Sequence, residues 1–81
     1  MKIEEFDKKW EKYLEEGFYG LAIDNEKIID YIDSEFDEEI KINPNFKFYQ
    51  IKIKFGTSRV YADSDKTTEW ENKINEILKN L

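Results

Sequence analysis

Between Pro44, the chain's single proline, and Gly56 lies the run F-K-F-Y-Q-I-K-I-K-F, residues 46–55. Its alternation has a period of two, the signature of a half-buried β-strand. Tyr49, Ile51, Ile53 and Phe55 then share the core face, and Phe48, Gln50, Lys52 and Lys54 share the other. No helix continues across Asn43-Pro44-Asn45, because proline pushes the residue before it out of the helical region and both asparagines favour turns. Gly56-Thr57-Ser58 turns the strand, and Arg59-Val60-Tyr61-Ala62 returns antiparallel. The register is open in the sequence. Pairing Phe55 with Val60 is preferred because it buries Val60 and Ala62 and sets Arg59 and Tyr61 beside Lys52 and Lys54.

Helical periods flank this hairpin. Ile3, Phe6, Trp10, Tyr13 and Leu14 recur at intervals of three and four, which predicts a helix ending near Gly17. Gly17-Phe18-Tyr19-Gly20 reads as a turn, and residues 18–23 stay open between a short third strand and an extended linker. Asp24 is the expected N-cap of a second helix, with Ile23 and Ile28 closing as a hydrophobic staple. Ile28, Ile29, Ile32, Phe36 and Ile40 form its apolar stripe. After a polar linker, Thr68 and Glu71 have capping-box spacing ahead of Trp70, Ile74, Ile77, Leu78 and Leu81, a third helix. The expected fold is therefore α+β, a small single domain over residues 1–81 with two helices, an antiparallel hairpin and a C-terminal helix. A lone hairpin is marginal, so it must pack on helices, gain a strand, or pair with a second copy.

What is missing narrows the chemistry. The chain has no cysteine and no histidine. That removes disulfides, zinc fingers and the nucleophile–histidine arrangements, so the expectation is a non-enzyme with no cofactor and no metal, held by packing alone. No apolar run reaches the ~20 residues of a membrane span, and Met1-Lys2-Ile3-Glu4-Glu5 is acidic where a signal peptide would be basic. A cytoplasmic protein, of a bacterium or of an infected host cell, is the expected setting, with no membrane partner.

Charge is segregated along the chain. Residues 1–40 hold 14 acids against five lysines, residues 41–62 hold five cations and no acid, and the whole chain carries −6. Glu26, Asp30, Asp33, Asp37 and Glu38 fall off the apolar stripe of the second helix, making an anionic face with Glu11, Glu15 and Glu16 nearby. Such a row suits a basic protein surface, imitating the regular negative charge of nucleic acid and steering association. On the hairpin's outer face, Phe48, Gln50, Lys52, Lys54, Arg59 and Tyr61 combine cations with aromatic planes. That combination suits a small phosphate-bearing nucleotide, with rings stacking on a base, while the net −6 opposes direct binding to long nucleic acid.

Two resemblances bear on function. Val60 to Thr67 spells an apolar strand followed by D-x-D-x-T, which resembles the nucleophile motif of haloacid-dehalogenase-type phosphatases. That family needs a parallel α/β sheet with further lysine and acidic motifs on later strands, and too little chain follows Thr67, so Asp63 and Asp65 read as turn and capping residues. As a calcium loop the same stretch lacks glycine at its sixth position and has Ile74 at its twelfth. In size and charge alone, the chain is similar to small acidic inhibitors, among them bacteriocin immunity proteins and phage anti-CRISPR and other anti-defence proteins. The leading expectation is an inhibitor or immunity-type factor whose acidic face blocks a basic, nucleic-acid-binding surface of a target protein. The alternatives are a nucleotide-binding module using the hairpin face, and a homodimer or larger assembly formed through an exposed hairpin edge.

Overall fold

In the computed structural model, which describes residues 1–80, an α+β fold sets three helices against a three-stranded mixed sheet. The helices are α1 (Ile3–Trp10), α2 (Glu26–Ile42) and α3 (Thr67–Lys79); the strands are β1 (Gly20–Leu21), β2 (Phe48–Lys54) and β3 (Thr57–Ala62). β2 is central, parallel to β1 and antiparallel to β3. Parallel neighbours require a long crossover, and the 17 residues of α2 supply it. The open question at residues 18–23 is answered by β1, which lends the hairpin its third strand. Among the described residues no helix is long and apolar enough to cross a membrane.

The first helix is shorter than its periodicity implies. α1 stops at Trp10, a single 3-10 turn covers Glu11–Tyr13, and Leu14 is extended. The sheet competes for this segment: Leu14 bridges Phe48 in parallel and the Glu15 N–H donates to the Phe48 carbonyl at 2.8 Å. The N-cap of α2 is Asn25, one residue later than expected, its side chain accepting from the Ile28 N–H. Ile23 and Ile28 are both buried, as a staple requires. At α3 the Thr68–Glu71 box does not form, because the Glu71 carboxylate accepts instead from the Val60 N–H at 2.8 Å.

Hairpin register is the main correction. Val60 pairs with Ile51 rather than Phe55, and Arg59 pairs with Lys52. The reversal is made by Phe55 and Gly56, both at positive φ (55° and 75°), rather than by Gly56-Thr57-Ser58. Two positive φ values in a two-residue loop match the right-handed twist of the flanking strands. A β-bulge between Phe48 and Gln50 leaves Tyr49 as the extra residue. It lets Phe48 and Ile51 both turn inward, so Phe48 is 2% exposed in the core and does not belong to the outer face.

Phe55 is 92% exposed, with the Lys54 ammonium 5.6 Å from its ring centre. A bulky residue held left-handed without packing in return is strained by about 1 kcal/mol. Phe55→Asn is therefore expected to raise unfolding free energy by about 0.5–1 kcal/mol in urea melts; a lower stability would contradict this account of the turn.

The core is aromatic and centres on Phe36, which is fully buried. Its ring lies 4.8 Å from Phe46, 5.1 Å from Phe48, 5.4 Å from Trp10 and from Trp70, and 5.9 Å from Phe6. α1, α2, β2 and α3 thus meet on one side chain. α3 also closes the free edge of β3. The Ser58 N–H donates to Asn75 Oδ1 at 2.7 Å, the Ser58 hydroxyl donates to the Glu71 carbonyl, and Val60 is held by Glu71.

Candidate ligand-binding face of the hairpin

The two charged faces of the sequence have opposite fates. Along α2, Asp33 accepts from the Trp10 indole N–H at 2.9 Å and pairs with Lys9 at 2.9 Å; Asp37 pairs with the same lysine at 3.2 Å. Asp30 meets the Met1 amine at 2.6 Å, and Glu38 pairs with Lys41 one turn on. Of the five acids, Glu26 alone has no bonded partner among the described residues. This ridge clamps α1 onto α2. The Asp33 hydrogen bond holds the Lys9 ammonium above its ordinary value of 10.5, against a lowering by desolvation. That contribution to stability is complete at neutral pH and is lost only as alkali titrates the folded lysine.

On the hairpin's outer face no carboxylate of the described residues lies within ion-pair distance of the cations. Gln50, Lys52 and Lys54 alternate outward along β2, opposite Tyr61, Arg59 and Thr57 of β3. The Lys52 ammonium lies 5.7 Å from the centre of the Tyr61 ring, and Arg59 donates to the Ser58 carbonyl. Among the described residues Lys52, Lys54 and Arg59 form no ion pair. The structure therefore brings together Gln50, Lys52, Lys54, Arg59 and Tyr61 and removes Phe48 from the set.

Two aromatic residues that the sequence reading did not assign to this face complete it. The bulge turns Tyr49 outward, and Phe18 folds over from the segment before β1 to meet it edge-on, with ring centroids 5.1 Å apart. Phe18, Tyr49, Gln50, Lys52 and Tyr61 line a hollow of about 390 Å³. Phe18 and Tyr61 each leave nearly half their surface to solvent. The sequence signal was the pair of aromatics in Gly17-Phe18-Tyr19-Gly20, which a turn alone does not need. A volume in this range, apolar walls and a few convergent polar groups are the usual makings of a small-ligand site.

A second hollow, about 360 Å³ between α1 and β1, is floored by Trp10, Leu14 and Phe48 and rimmed by Asp7, Lys8 and Glu11. Its rim carries both signs of charge and selects for neither. Comparison with family models, with curated proteins and with solved structures finds no match for the chain.

Proposed function

We propose that this chain is a non-enzymatic cytoplasmic binding protein that takes a small phosphate-bearing nucleotide on the outer face of its hairpin. The observation that carries the reading is the aromatic hollow of Phe18, Tyr49 and Tyr61 beside three cations that no described carboxylate neutralises. Rings of this kind stack on a base, and Lys52, Lys54 and Arg59 supply the charge that phosphate requires. The net charge of −6 repels an extended polyanion and so favours a ligand of one or a few nucleotides.

The test is a panel of mononucleotides and cyclic nucleotides followed by melting temperature and calorimetry. At least one should stabilise the protein, bind more weakly as salt rises from about 50 to 200 mM, and lose affinity about tenfold or more in Lys52→Glu and in Arg59→Ala. A panel without a binder, or a binder indifferent to both substitutions, overturns the reading.

A second reading, an acidic inhibitor or immunity-type factor that blocks a basic protein surface, draws on the same −6 and on the exposed Glu26 and Glu38 of α2. Its other acids, Asp30, Asp33 and Asp37, would have to leave Met1 and Lys9 to reach a target. The third, assembly through the β3 edge, has lost its motive, since Glu71 and Asn75 already occupy the N–H groups a partner strand would need.

A further inference from the structure

Gln50 sits in register between Gly20 of β1 and Tyr61 of β3, half-buried in the wall of the aromatic hollow. Neighbouring polar groups on the hairpin bond elsewhere: Arg59 to the Ser58 carbonyl, and Ser58 and Val60 to α3. No described residue bonds the Gln50 carboxamide. It is a planar group holding an acceptor beside a pair of donors. A bare phosphate, or an aromatic carboxylate, would satisfy Lys52 and Arg59 but would desolvate this amide with nothing to pair it, which costs affinity. A flat ligand presenting a donor next to an acceptor pairs with both halves of the amide. Adenine does this through its N6 amino group and N7, the familiar partner of a glutamine side chain.

We propose that the ligand of this site is an adenine nucleotide and that Gln50 is the residue that reads its base. The proposal rests on the nucleotide reading above. In this arrangement the base lies among the rings of Phe18, Tyr49 and Tyr61, Gln50 pairs with its edge, and the phosphate lies toward Lys52 and Arg59.

The experiment is calorimetric titration of wild-type protein and Gln50→Leu with two probes, AMP and purine riboside 5′-monophosphate, which lacks only the N6 amino group. Wild-type protein should bind AMP about tenfold more tightly than the deamino analogue, the worth of one good hydrogen bond. In Gln50→Leu that preference should vanish, the variant binding the two probes with equal affinity. Melting curves establish that the variant folds; if it does not, Gln50→Met carries the same comparison. Equal binding of both probes to wild type, or a preference that survives the substitution, overturns the assignment of adenine and Gln50 and leaves nucleotide binding standing. Failure of both probes to bind overturns this proposal, while the wider nucleotide panel decides the broader one.

Discussion

Phe36→Ala is expected to lower the unfolding free energy by about 3–5 kcal/mol, the range for emptying a large aromatic site in a packed core. The position leaves little room for a smaller effect. Phe36 is fully buried and touches the rings of Phe6, Trp10, Phe46, Phe48 and Trp70, which come from the two other helices, the central strand and the segment leading into it. Those rings are fixed by separate elements and cannot all collapse into one void. At about 0.05–0.15 kcal/mol per residue, a chain of 81 residues has roughly 4–12 kcal/mol in total. The variant should therefore be marginal or unfolded at body temperature. Phe36→Leu retains most of the volume and should cost about half as much. Urea melts followed by tryptophan fluorescence measure both; a loss below about 1 kcal/mol for alanine would refute the hub.

Asp33→Ala should come next, at about 2–3 kcal/mol. Its carboxylate is largely enclosed and holds two groups of α1, the indole N–H of the buried Trp10 and the ammonium of Lys9. Most of the effect belongs to the stranded indole donor, because a lysine that keeps 40% of its side-chain surface in water contributes little through its ion pair. Asp33→Asn preserves an acceptor for Trp10 and discards the charge, so it should recover more than half of the loss. If asparagine and alanine are equally damaging, the charge is what matters and the indole bond is incidental. The result also bears on recognition: reversing Asp30 and Asp33 to lysine would loosen α1 as well as recolour the surface, so lost target capture in that variant would not distinguish an acidic docking face from damaged packing.

The sheet's sidedness was legible in part and its register was not: Ile51 and Val60 are buried as read, whereas Ile53 and Phe55, assigned to the same face, are 40% and 92% exposed. Moving the partner of Val60 from Phe55 to Ile51 is a slip by an even number of residues, which preserves the face of each side chain on β3 and brings Arg59 from opposite Gly56 to opposite Lys52. The register itself depends on a Phe-Gly loop that carries none of the usual Asn-Gly signal. The inversion at Phe48 and Tyr49 comes from the bulge, which period-two reasoning cannot contain, and it exchanged one candidate aromatic for another. Helical spacing separated the α2 acids from the apolar stripe correctly. It carried no information on α1, whose Lys9 and Trp10 lie more than 20 residues away and turn a face expected to meet a basic partner into an internal clamp. Phe18 escaped notice for a similar reason, since its partner Tyr49 is brought to it only by the crossover through α2.

The seal on β3 has a temporal side. Val60 obtains its acceptor from a residue 11 positions downstream and Ser58 from one 17 positions downstream. A chain made from its amino end thus displays the finished ribbon before the helix that shields it has emerged. During that interval the ribbon's open amides are available to any other nascent copy, and protection arrives only once α3 has followed.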